Sequence, residues 1–258
     1  MNKKIIVSLA IVAAVAAIAV GGTVAFFSDT ETSTGNTFTA GSIDLKVDYA
    51  GYLNKLADGS PNAGSWTLKD LAAEKFFNIS DLKPGDFGEG TISLHVDNND
   101  AWACMTVTPV KNDDMTCTEP ELESGADPTC VVPGTDWDGE LAQALTGTIW
   151  ADVCDHTANF PNAVPGDNIY QSGCDRLIGT GIAPLTAVTL PLADANGNVF
   201  TGVAGQPLTG LQNYYIGVSW SLPGATGNAV QSDSYVSDIS FYTVQSRNNA
   251  TFNCLDTR

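Results

Sequence analysis

Hydrophobic and polar residues alternate with a period of two in several separate stretches of the chain. From Ser42 to Tyr49, Ile43, Leu45, Val47 and Tyr49 fall on one face, while Ser42, Asp44, Lys46 and Asp48 fall on the other. This is the pattern of a strand with one buried and one wet face. It returns where Ile92, Leu94 and Val96 alternate with Thr91, Ser93, His95 and Asp97, and again where Tyr214, Ile216, Val218, Trp220 and Leu222 share a face. Further strands are predicted over 103–110, 147–153, 185–190 and 236–244 from their β-branched and aromatic content. Lys83-Pro84-Gly85-Asp86 suits a type II turn and Asn196-Gly197 a hairpin.

Helical periodicity is rare. Thr67-Leu68-Lys69-Asp70 reads as a capping box opening a short helix with Leu68, Leu71 and Ala72 inward. Thr135 and Asp138 read as caps for a helix over 137–145. Many short strands, frequent Gly and Pro turns and few helices predict an all-β, two-sheet antiparallel sandwich with short helical insertions. The length after the leader suits a single domain over 42–258, with a cysteine-containing loop insertion around 115–209.

Residues 1–25 add a location. Lys3 and Lys4 precede an uncharged apolar run from Ile5 to Val20, which closes on Gly21-Gly22-Thr23-Val24-Ala25. A basic start, an apolar middle and a small-residue end predict a signal peptide cleaved between Ala25 and Phe26. The run is also about the length of a bilayer span, so a retained anchor is the alternative. Cleavage makes the contact with the membrane transient and the product secreted.

Loss of the two leader lysines leaves 9 basic against 29 acidic side chains, a net charge of −20. Such a surface excludes nucleic acid as a partner. Only 16 % of residues are charged, so scarcity of Lys and Arg contributes as much as excess acid.

Cys104, Cys117, Cys130, Cys154, Cys174 and Cys254 all follow the leader. Export places them in an oxidising compartment, where disulfides persist. Their spacings of 12, 12, 23, 19 and 79 intervening residues contain no C-x-x-C and match no zinc ribbon or finger. Local pairing suggests Cys117–Cys130 and Cys154–Cys174, among the connectivities open to six cysteines.

Candidate catalytic chemistry is sparse. The two histidines are His95, on the polar face of its strand, and His156, in a loop beside Asp155 and Cys154. There is no H-E-x-x-H, no G-x-S-x-G and no glycine-rich phosphate loop. The expectation is a protein without catalytic residues, metal or cofactor. Calcium is the one alternative, since Asp97-Asn98-Asn99-Asp100 and Asp194-Ala195-Asn196-Gly197-Asn198 offer closely spaced oxygens, although neither completes an EF-hand loop.

The stretch AIAVGGTVAFFSDTETSTGNTFTAGSIDLKV resembles the signal junction and first strand of the TasA/camelysin family of exported surface and biofilm-matrix proteins. The stretch FFNISDLKPGDFGEGTISLHVDNND resembles a second hallmark of that family, a Leu-x-Pro-Gly-Asp turn feeding a strand that ends in asparagines. Both lie within residues 12–100, and VQSDSYVSDISFYTVQSRNN near the C-terminus is a weaker echo. The resemblance implies processing by a signal peptidase at Ala25, a jelly-roll sandwich and assembly into extracellular fibres. In polymerising members the N-terminal segment of one subunit is a donor strand for the next. Camelysin members are classed as metalloproteases, but this chain has no zinc-peptidase motif onto which that role carries.

The segment 26–41 fits a donor strand on its own physics. Phe26, Phe27 and Phe38 are apolar anchors, separated by serines and threonines, without proline. Backbone hydrogen bonds along a sheet edge would give affinity, and the phenylalanines specificity. Burial of three Phe side chains is worth roughly 5–9 kcal/mol before ordering costs. A head-to-tail contact of this kind makes filaments. The alternatives are that 26–40 is a disordered leader or folds back onto its own domain. The leading expectation is therefore a secreted structural subunit that joins identical subunits into fibres of a cell surface or matrix. The alternatives are a monomeric adhesion module that binds calcium or glycans, and a camelysin-type secreted protease.

Overall fold

The computed structural model describes residues 30–33, 36–39, 45–53, 65–70, 74–79, 81–97, 99–123, 127–130 and 137–256. The strands in chain order are β1 (Thr30–Ser33), β2 (Asn36–Thr39), β3 (Leu45–Leu53), β4 (Ser65–Lys69), β5 (Phe87–Val96), β6 (Ala101–Asp114), β7 (Thr146–Ala151), β8 (Arg176–Thr180), β9 (Val188–Ala193), β10 (Gln212–Ser221) and β11 (Asp233–Gln245). Two one-turn helices, α1 (Glu119–Leu122) and α2 (Leu141–Ala144), lie between β6 and β7.

The strands form two sheets, ordered β1-β2-β11-β6-β9 and β4-β3-β5-β10-β7-β8. From β5 onward the chain passes repeatedly from one sheet to the other, and the two sheets share one core as an all-β sandwich. The alternating residues explain why the sheets stack. Ile92 and Leu94 of β5, Ile149 of β7 and Ile216 of β10 meet Met105 of β6, Leu192 of β9 and Phe241 of β11 in one core. Each fully buried side chain of this size contributes about 1.5–3 kcal/mol.

The segment 115–209 supplies β7, β8 and β9 to the two sheets, so its cysteine loops hang between strands of the sandwich. The loop closed by Cys154–Cys174 covers the outer face of the second sheet, where Tyr170 packs on Trp150 with ring centroids 5.6 Å apart. The Trp150 ring in turn lies over Gly217, its cross-strand partner, where a Cβ would stand 2.1 Å from a ring carbon. Thr91 and Ser93, predicted to face water, are buried.

The first predicted helix is a strand. Ser65–Lys69 pairs with β3, and Leu68 is exposed. An open edge beside β3 supplies ladder bonds that a one-turn helix lacks. The second helix is confined to Leu141–Ala144, and Asp138 accepts a hydrogen bond from the Asp114 amide at 3.2 Å instead of capping it. The turn at 83–86 is as expected, with Gly85 at φ 97° and the Asp86 amide donating to the Lys83 carbonyl at 2.9 Å.

Candidate functional sites

One candidate site is the edge of the first sheet. β6 pairs with β11 over its whole length, from Asp233 to Gln245. On the other flank β2 covers only Ile239–Tyr242. Its pairing is parallel, whereas every other strand pair described is antiparallel. Residues 233–238 thus have a single ladder neighbour among the described residues. Beside them opens a groove of about 790 Å3 lined by Phe77, Leu141, Trp220, Leu222, Val236 and Ile239 among others.

The predicted anchors can be placed in part. Ala25, Phe26 and Phe27 lie outside the described residues. Phe38 belongs to β2, where its Cα is the partner of that of Phe241. In this single chain, β2 lies against the chain's own β11.

A second candidate site lies at the start of β11. Asp114, the last residue of β6, and Asp233, the first of β11, are cross-strand partners. Oxygens of Asp114, Glu140 and Asp233 lie within 4.8 Å of one another, and Asp114 stands equally close to Asp127 and to the sulfur of Cys130. Backbone amides position the group. Those of Glu140 and Leu141 donate to Asp233 Oδ2 at 2.7 and 2.8 Å, while those of Thr129 and Cys130 donate to Asp127 Oδ1 at 2.9 and 3.1 Å. The carboxyls of Asp114 and Asp233 share a side-chain hydrogen bond; apart from that, both oxygens of Asp114, Oδ2 of Asp127, Oε2 of Glu140 and Oδ1 of Asp233 are buried without a partner. None of the ion pairs among the described residues includes these four carboxylates; Lys111 is held by Asp113 at 3.4 Å. Burial pushes the carboxyls of Asp114, Glu140 and Asp233 above the usual range, and their acidic neighbours add to the shift.

Sequence reasoning missed this cluster. The acid-rich stretch from Asp113 to Glu140 was a signal, but Asp233 joins it only through the register of β11 with β6. The carboxylates of the two acidic loops are already engaged within the fold. Asp194 Oδ1 accepts the amides of Asn196 and Gly197, and its Oδ2 that of Cys254. Asp97 pairs with Lys46 at 3.5 Å, and Asp100 accepts the Gly210 amide.

The cysteines form three disulfides, Cys104–Cys254, Cys117–Cys130 and Cys154–Cys174. The first ties the C-terminal segment to β6; the other two close loops beside the sandwich. His95 is half-buried on the outer face of β5, with Nε2 2.8 Å from Asp48 Oδ2, and exposed His156 lies 2.5 Å from its neighbour Asp155.

Residues 1–118 match the family model of camelysin metallo-endopeptidase. The N-terminal region is camelysin-like. No curated protein matches the chain. Camelysin family proteins are exported, and no helix among the described residues is long and apolar enough to cross a membrane.

The family's description implies a metal. Catalytic zinc takes three protein ligands, with histidine prominent among them. In the camelysin-like region His95 is engaged by Asp48, and among the described residues the clusters close enough to share an ion contain no histidine. The sulfur of Cys130 is oxidised. The described donors therefore do not fit a catalytic zinc.

Proposed function

We propose that the chain is an exported structural subunit that polymerises head to tail by strand donation into extracellular fibres. The observation that carries this reading is the β11 edge. Among the described residues, β2 covers four of its thirteen residues, and a groove opens beside residues 233–237. The segment 26–41 has 16 residues, enough to pair along the whole of β11. Parallel pairing is slightly weaker per residue than antiparallel pairing. A second copy's segment that covers more of β11 therefore competes well with the chain's own short strand. In this account the own-chain pairing protects the edge of the monomer, and exchange between copies links subunits without closing a ring. On export the signal peptide is removed and Phe26 becomes the free end of the donor. The sandwich over 42–258 is the acceptor domain.

A synthetic peptide of residues 26–41 tests the pairing directly. It is expected to bind the chain that begins at Ser42, with binding weakened by Val236→Lys at the groove. Failure of the peptide to bind folded, truncated chain would remove strand donation.

The family's description favours a second reading, that of a secreted metallo-endopeptidase. Cleavage of casein by purified protein, abolished by a chelator and restored by zinc, would establish it. The described donors give it no site, and the expected result is no cleavage.

A further inference from the structure

We propose that Asp114, Glu140 and Asp233, with Asp127 flanking Asp114, form a binding site for one calcium ion at the junction of β6, β11 and the loops around α1 and α2. Two observations carry the assignment. The first is spacing. Calcium holds oxygens at 2.3–2.6 Å, so oxygens on opposite sides of one ion stand about 4.8 Å apart. Asp114, Glu140 and Asp233 fall together within that limit, and Asp127 is that close to Asp114. The second is an unanswered demand for a partner. Asp114 is 4 % exposed, yet the only group its carboxylate meets is the carboxyl of Asp233, another acid, and Asp127, also 4 % exposed, leaves Oδ2 without a partner.

Buried carboxylates without partners are costly and persist when a cation or protons compensate them. The donors here are all carboxylate oxygens, because Cys130 is tied up in a disulfide. Such a hard, oxygen-only set suits calcium, and its irregular arrangement suits calcium better than magnesium, which demands an octahedron and keeps its waters. The scaffold is already in place, since backbone amides fix one oxygen each of Asp127 and Asp233 and leave the other free. Thr129 bridges two members, its hydroxyl lying 2.8 Å from Asp127 Oδ1 and 3.2 Å from Glu140 Oε1. The ion would join four chain segments at one point, pinning the Cys117–Cys130 loop and α2 onto the end of the β6–β11 ladder.

Calorimetric titration of the chelator-treated, purified chain with calcium chloride tests the site, together with thermal unfolding. The expected result is one saturable site per chain and a clear rise in Tm with calcium, with magnesium at the same concentration binding at least tenfold more weakly. Asp114→Asn and Asp233→Asn should each weaken calcium binding at least tenfold. Asp194→Asn should leave it unchanged, because backbone amides already satisfy that carboxylate. Absence of calcium binding by the folded wild-type chain would overturn the proposal. So would binding that survives both Asp114→Asn and Asp233→Asn, or that is lost equally with Asp194→Asn.

Discussion

Asp114 and Asp233 stand opposite each other at the end of the β6–β11 ladder, one acidic residue buried and the other half-buried, with no basic partner among the described ion pairs. Like charges directly across a ladder are destabilising. In chelator, Asp114→Asn is therefore expected to stabilise the fold by about 1 kcal/mol, raising Tm by roughly 2–4 °C. In calcium the same substitution should lower Tm. Calorimetric scans in both buffers check the reversal, and a loss of stability in chelator as large as that in calcium would contradict it.

Asp152 supplies a pH dependence of its own. Burial pushes its carboxyl from 3.8 up to about 7; the amides of Gly166 and Asn168 offset part of the shift, while Asp167 and Asp175 add to it. The unfolded chain releases this proton near 3.8 and the folded chain near 7, so the folded state binds more protons between those values. Its stabilising contribution is present below the lower value and lost as pH rises through the upper one. Asp152→Asn should reduce the fall in stability between about pH 4.5 and pH 7.5 by on the order of 1–2 kcal/mol. Urea unfolding of both proteins at the two pH values measures it, and identical pH slopes would refute the assignment.

The three disulfides should differ in worth. Cys104 and Cys254 are 150 residues apart and buried, whereas Cys117–Cys130 spans 13 residues and is half-buried. Loop-closure entropy gives about 5 kcal/mol for the long bridge and about 3 kcal/mol for the short one. Paired Cys→Ala variants compared by denaturant midpoint should follow that order, and mild reductant should open Cys117–Cys130 before Cys104–Cys254, as mass spectrometry after alkylation would record.

Gly217 marks a packing constraint on the second sheet. A methyl group there would meet the Trp150 ring within the β7–β10 ladder. Gly217→Ala should cost about 1–3 kcal/mol and red-shift tryptophan fluorescence as Trp150 is displaced. An unchanged spectrum and midpoint would show that the ring relocates freely.

The sandwich was legible because its central strands carry a strict period of two. Ile92 with Leu94 and Ile216 with Val218 show their inward faces directly, and the strands at 103–110 and 236–244 fall within β6 and β11. The strand expected at 185–190 is shifted, to Val188–Ala193. Short edge strands were not legible. Ser65–Lys69 looked helical from its capping residues and is held extended by β3, while Arg176–Thr180 has too little alternation to stand out from its loop. The carboxylate cluster was hidden for a different reason. Three of its members lie within one acidic stretch, but the fourth, Asp233, is brought in by a ladder whose register depends on the whole fold.

The central claim is strand donation by residues 26–41, and electron microscopy of negatively stained, purified chain beginning at Phe26 tests it most directly beside chain beginning at Ser42. The account predicts filaments from the first and folded monomers from the second. Filaments from both, or monomers from both across a range of concentration, pH and calcium, would contradict it.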